Sequence, residues 1–592
     1  MRVFQQLHFV LGCLFLYPTF GAALERDEIF HRQLKIGTVD QITERYMCIV
    51  HNIYRRDLSI RQRLASLLHP ILVPPRRSNL QWIESQHLGI FAVSMEVLAT
   101  VPGESYWFKD QRLTDLMLSG CDRIKSEVIT ARMGVPRLQL QDFYSNQTYE
   151  RSGAVRPHHA GDDEVTSYDY NDFKNKLVGF FKQPFGDYYS RVLAAAPVEE
   201  RFVNTVQIDL TPLSQPPGTT SRDLQGTFWD FKYSGRGQLV YILDGGFDIN
   251  HKVETVSIQT QAETRSIKVE KMIFPGFFPA QDGFTGASPH NVDHGTAMMA
   301  KIAGQTTGVA TNTTLVLGRL SDGAGYYGPD TALDLLLKVY DDIRTRDPAQ
   351  ACIISMSYTF PTERRQPGAD FGISDEDYFF HVGMGDQVKY FVFQRGVQEM
   401  LDEVIDRIME LPNTFFVTAA GNDAPDVPIS DSPAVLGSKY YEKQPRFIVV
   451  GGYNPLDGES IFQKAKFVEV SAPARFVNAP VRWKNGDYED WTLKTPPEAT
   501  FDFYSKHEFT AARGTSLAVP AVSGMIAAWL SIGFKIEDIA PLMKRLAYER
   551  IQGGPKVLYN GVPISRWPRK QRPSWYPFKS APPPPKTLDF TA

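Results

Sequence analysis

The chain has 592 residues, 43% of them hydrophobic and 22% charged, which suits two or more globular domains with sizeable cores. Lys plus Arg (63) nearly balance Asp plus Glu (67), so the net charge of −4 gives no electrostatic footprint for nucleic acid or an anionic membrane. Neither is expected as a partner.

In chain order, the first element is "MRVFQQLHFVLGCLFLYPTFGAALERDE", with Arg2, an apolar stretch Phe9–Leu16 and the small residues Gly21 and Ala23. It reads as a cleaved secretory signal over residues 1–23. The apolar stretch falls short of the ~20 residues a spanning helix needs, so no membrane anchor is expected and the protein is expected to be secreted and extracellular. Cys13 would leave with the signal, and Cys48, Cys121 and Cys352 are too few for a disulfide scaffold. A Cys48–Cys121 bridge is allowed in an oxidising compartment, whereas Cys352, inside "ACIISMS", reads as an inert buried thiol. Asn146 ("NQT") and Asn312 ("NTT") are glycosylation acceptors in a secreted chain.

Residues 24–224 read as a separate N-terminal region of helix-like and loop-like pieces, with a polar stretch His158–Asp172. The turn-rich "TPLSQPPGTTSRD" (Thr211–Asp223) reads as the linker that closes it. From there to residue 559, continuous apolar runs such as "LVYILD", "TTLVLG", "CIISM", "TFFVTAA" and "RFIVVGG" alternate with helical patterns. Such runs predict a parallel sheet covered on both faces, with sites beyond the carboxyl ends of its strands. Asp244 ends the first of these runs, and Gly421 and Asn422 follow the run that ends at Ala420. Residues 560–592 turn basic and then Pro-rich, as an extended, exposed tail would.

Four residues carry candidate chemistry, and each also has a plain structural reading. Asp244, before Gly245 and Gly246, is either part of a strand-end turn or a carboxylate that fixes a histidine's tautomer. His294 opens a helix rich in small residues, and either satisfies local bonds or acts as a general base. Asn422 belongs to a Gly-Asn turn pair or donates to an oxyanion. Ser516, at the start of "TSLAVPAVSGMIAAWL", caps a helix or is a nucleophile.

Taken together, "ILDGG", "DHGTAMMAKIAGQ", "TAAGND" and "GTSLAVPAVSG" resemble, in order, the four motifs of the subtilisin-like serine peptidase family. The resemblance runs from about Ser234 to Glu549 and implies an α/β, three-layer subtilisin-like fold with a mostly parallel central sheet, over residues 225–559. It further implies that Ser516 attacks the scissile carbonyl, His294 moves the proton, Asp244 orients His294, and Asn422 stabilises the oxyanion. The segment Ser355, Met356, Ser357, Tyr358 and Thr359 would pair with an extended protein or peptide substrate. Residues 24–224 would contain a propeptide that inhibits the chain's own cleft.

No cofactor is expected. Calcium stabilises many members of the family, but no acidic cluster here resembles a dedicated loop, and no metal site is assigned. Three departures stand out: Gly245 replaces a Ser or Thr, Arg513 replaces a small residue and is expected to point to solvent, and Thr359 stands where the family has Gly. The insert Thr362–Phe391 follows the substrate segment and is either a lid or a solvated loop. The reading is a secreted serine endopeptidase working through an acyl-enzyme; the alternative is a catalytically inactive subtilase-like protein that serves as a secreted protein-binding module.

Overall fold

The computed structural model describes residues 34–36, 39–41, 43–50, 55–68, 80–98, 118–124, 184–202, 209–219, 224, 227–247, 256–258, 267–275, 289–304, 307–320, 329–360, 395–475, 477–480 and 509–567. The signal segment, Asn146, His158–Asp172, the insert Thr362–Phe391 and the Pro-rich end all lie outside the described residues.

Near the amino terminus, β1 (Thr43–Val50), β2 (Leu80–Ser85), β3 (Gly89–Leu98) and β4 (Leu118–Ile124) form a four-stranded antiparallel sheet in the order β2-β3-β1-β4. A helix, α1 (Ser59–Leu68), connects β1 to β2. Cys48 is disulfide-bonded, and the register sets Cys121 directly opposite it on the neighbouring strand. Next come α2 (Pro184–Ala195), β5 (Val198–Phe202) and β6 (Thr227–Phe231), the two strands pairing antiparallel.

The central sheet has ten strands. They are β7 (Leu239–Asp244), β8 (Val256–Ile258), β9 (Ile267–Ile273), β10 (Thr314–Arg319), β11 (Cys352–Met356), β12 (Thr414–Ala419), β13 (Phe447–Tyr453), β14 (Val470–Pro473), and, after a hairpin of β15 (Val477–Pro480) with β16 (Phe509–Ala512), the short β17 (Tyr548–Glu549) and β18 (Lys556–Val557). Their order is β8-β9-β10-β7-β11-β12-β13-β14-β18-β17, parallel throughout except for the final β18–β17 pair. Strand side chains alternate between faces, so one sheet serves two cores. On one face Val240, Ile242, Ile353, Phe415 and Val417 pack against α3 (Pro289–Ala303) and α6 (Thr515–Ser531). On the other, Leu239, Tyr241, Leu243, Ile354 and Phe416 meet α4 (Pro329–Arg344) and α5 (Arg395–Met409). Both faces being covered explains why these strands read as unbroken apolar runs. Among the described residues no helix is long and apolar enough to cross a membrane.

Two expectations about organisation change. Thr211–Asp223 reads as a linker in the sequence, yet Thr211–Ser214 forms a buried 3-10 turn, with Leu210 and Leu213 fully buried in the same core as α6. The residues from 560 begin as core as well: Asn560 is fully buried and Trp567, 1% exposed, stacks on Trp229 at 5.5 Å. The N-terminal region keeps its own sheet, distinct from the central one, and docks on two helices. Met47, Ile83, Phe91 and Ala92 share a buried cluster with α4 and α5, and Ser94 Oγ, Gln81 Nε2 and Arg55 Nη1 donate to Asp330, Asp334 and Glu403 on those helices. Cys352 is a free, buried thiol whose pKa burial pushes up to about 12.

Candidate active site

β7 ends at Asp244, which is fully buried, and the following Gly245 N–H donates to its Oδ1 at 2.7 Å. Helix α3 presses onto the same turn: a Cβ on Gly295 would lie 1.9 Å from the Gly246 carbonyl oxygen, so only glycine permits the approach. That contact seats the neighbouring His294 with Nδ1 at 2.9 Å from Oδ2 and 3.0 Å from Oδ1 of Asp244. The His294 side chain remains 33% exposed, which leaves the ring open on one side. Burial acts to lower the pKa of His294, but the charge of Asp244 and its hydrogen bond outweigh it and hold the value above the ordinary 6.5.

Ser516 is the second residue of α6, the helix that shares a face of the sheet with α3. It is not the cap. Gly514 holds the N-cap position at φ +144°, a backbone region that favours glycine. Pro520 lies inside the helix beyond its first turn, and its missing N–H would have bonded the Ser516 carbonyl four residues earlier. The Ser357 hydroxyl fills that vacancy, donating to the Ser516 carbonyl at 2.9 Å, while Ser516 Oγ donates to the Ser357 carbonyl at 3.0 Å. Among the described residues no hydrogen bond joins Ser516 to His294; the pair Asp244–His294 is bonded, and Ser516 is bonded to Ser357 instead.

Asn422 follows β12, after Gly421 at φ +113°. The Thr515 main-chain N–H donates to its Oδ1 at 2.8 Å, and the Thr515 hydroxyl lies 2.9 Å from the same oxygen. Because an N–H can only donate, this fixes the amide's orientation and frees Nδ2. A Cβ built on Gly514 would stand 3.6 Å from both Nδ2 and Oδ1 of Asn422 and 3.8 Å from the Ser516 nitrogen, so the Asn422 amide and the Ser516 main-chain nitrogen border one small space, with Oδ1 already taken by Thr515. A negative oxygen could be held there.

The substrate segment shortens. Ser355 and Met356 lie inside β11, paired on one side with Ile242 and Leu243 and on the other with Val417 and Thr418, so their main-chain groups are already used within the sheet. Ser357, Tyr358 and Thr359 lie past the ladder. Thr359 Oγ1 donates to Asp431 Oδ2 at 3.2 Å, and Tyr358 turns inward, its hydroxyl 3.3 Å from Asp244 Oδ1. Sequence reasoning did not foresee that contact, nor the Ser357–Ser516 exchange, although a proline four residues after Ser516 was a visible sign of a freed carbonyl. Arg513 does not point to solvent as expected: it is half-buried, with its guanidinium 5.1 Å above the Phe462 ring. Asn312 is half-buried in a turn. Among the described residues no group of three or more His, Cys, Asp or Glu could hold a metal ion.

The subtilase family profile matches residues 235–547, which span all four candidate residues. Among solved structures the chain is similar to a cold adapted subtilisin-like serine proteinase, at 16% identity and a TM-score of 0.36, over 61% of this chain and 99% of that one. No curated protein matches the chain.

Proposed function

Since the chain belongs to the subtilase family, and with it to the serine peptidases of the subtilisin kind, we propose that it is a secreted endopeptidase cutting proteins through an acyl-enzyme. The observation that carries this reading is the bonded Asp244–His294 pair, set at the same sheet edge as the helix start that bears Ser516. Ser516 Oγ leaves the Ser357 carbonyl when substrate arrives and gives its proton to His294 as it attacks the scissile carbonyl. His294 then returns the proton to the leaving amine, with Asp244 stabilising the imidazolium. Asn422 Nδ2 and the Ser516 N–H receive the oxyanion in the space beside Gly514.

The reading is tested by exposing processed protein to a fluorophosphonate and locating the adduct by mass spectrometry. Labelling confined to Ser516, and lost in His294→Ala, is expected; no adduct on folded, processed protein would overturn the proposal. Asn422→Ala is expected to lower kcat by about 10²–10³-fold with KM nearly unchanged, the magnitude associated with losing one oxyanion donor. Steady-state hydrolysis of an unstructured protein measures it.

Secretion is part of the proposal, supported by the signal-like residues 1–23 and by the disulfide bond at Cys48, a bond that persists in oxidising compartments. Glycans on Asn146 and Asn312 follow from the same reading. The N-terminal region is proposed to act as an inhibitory pro-region, supported by its sheet resting on α4 and α5 through Ser94, Gln81 and Arg55. Amino-terminal sequencing of the secreted form decides it: a mature terminus beyond β4 is expected, and retention of β1–β4 in active enzyme would remove the pro-role.

A further inference from the structure

We infer that Tyr358 is a positioning residue for the Asp244–His294 pair, its hydroxyl supplying the side-chain donor that Gly245 cannot; the inference rests on the peptidase reading above.

Asp244 is fully buried, and a buried carboxylate needs its oxygens occupied by donors. The Gly245 N–H reaches Oδ1 at 2.7 Å and His294 Nδ1 spans both oxygens, but residue 245 has no side chain to add. Tyr358, 8% exposed, brings its O–H to within 3.3 Å of Oδ1. Its ring also packs against the His294 ring, with centroids 5.1 Å apart and planes tilted by 49°. The preceding residue, Ser357, holds Ser516 through both its hydroxyl and its carbonyl. Two consecutive residues therefore touch the groups that β7, α3 and α6 deliver separately.

Gly245 and Tyr358 both donate to Oδ1, and together they limit rotation of the carboxylate that His294 Nδ1 spans. A hydroxyl donated to Asp244 also withdraws part of its charge, which moderates how strongly it raises the basicity of His294. Loss of the hydroxyl alone should thus make His294 easier to protonate and less well oriented. A side chain that merely filled space would leave both properties unchanged when Tyr becomes Phe.

The test is an NMR titration of His294 in the full chain carrying Ser516→Ala, with histidine rings labelled and the resonance assigned by its loss in His294→Gln. Tyr358→Phe is expected to raise the midpoint by about 0.5 pH unit, and a fluorotyrosine at 358, a stronger donor, to lower it. A midpoint unmoved by either replacement would overturn the inference. In processed enzyme, Tyr358→Phe is expected to lower kcat about tenfold with KM within about twofold, and to move the acidic limb of kcat/KM upward. Should the parent show no turnover, the peptidase reading is what fails, and the titration still decides whether Tyr358 acts on the pair.

Discussion

Asp244→Asn is expected to lower kcat by about 10⁴-fold while leaving the fold and KM close to those of the parent, the scale associated with a wrongly held histidine tautomer. The reason lies in the Gly245 N–H, which donates to Oδ1 of residue 244 at 2.7 Å. An asparagine would place its oxygen there, because its NH₂ cannot accept that bond. The NH₂ would then face His294 Nδ1, favouring the tautomer with its proton on Nε2, and Nε2 could no longer take the Ser516 proton. The pH profile gives a second reading of the same change. Burial acts to lower the pKa of His294, while the charge and hydrogen bond of Asp244 together lift it above 6.5, and a base works only when neutral. The acidic limb of kcat/KM is therefore expected above pH 6.5 in the parent and below it in Asp244→Asn, where burial acts without the opposing charge. Folding stability has the matching sign: the pair contributes fully below the unfolded value of 6.5, and its contribution fades as pH rises through the raised folded value. A variant that kept a tenth of the parent's kcat, or an unmoved limb, would show that Asp244 does not orient the base.

The sheet and the four candidate residues were legible in the sequence because both depend on local pattern. Continuous apolar runs follow from burial on two faces, and Asp244 and Asn422 stand where strands end. Contacts set by distant partners were not legible. Nothing near Tyr358 announces that its hydroxyl meets a carboxylate 114 residues away, since that depends on where the chain turns after β11 leaves the sheet. Thr211–Asp223 misled for a related reason. Its Pro, Gly, Ser and Thr content is that of a linker, but Pro also suits a buried 3-10 turn, and the partners that bury it come from the far end of the chain. Tyr548 Oη and Arg550 Nη1 both donate to the Gln215 carbonyl, and Arg550 Nη2 donates to that of Pro212. Composition describes a segment, whereas burial depends on what covers it.

Those long-range contacts make the carboxyl end a test of how far the fold extends. A chain ending at Tyr559, where sequence alone would place the domain's end, is expected to fail to fold. Asn560 joins three otherwise distant pieces: its N–H donates to the Leu213 carbonyl at 2.8 Å, its Nδ2 to the Trp229 carbonyl at 2.5 Å, and its own carbonyl accepts from Trp529 Nε1 at 2.8 Å. Removing it leaves buried groups without partners, at about 1–3 kcal/mol each. Trp567 adds its stack on Trp229, and truncating a buried Trp to Ala typically costs about 3–5 kcal/mol. Against a total stability of about 5–15 kcal/mol, the combined loss leaves little or none. Trp567→Ala in the full chain isolates one part of this, and is expected to fold with a denaturation midpoint lowered by an amount equivalent to about 3 kcal/mol or more. A chain ending at Tyr559 that unfolded with the parent's midpoint would mean that the strap from Asn560 to Trp567 lies on the domain without supporting it.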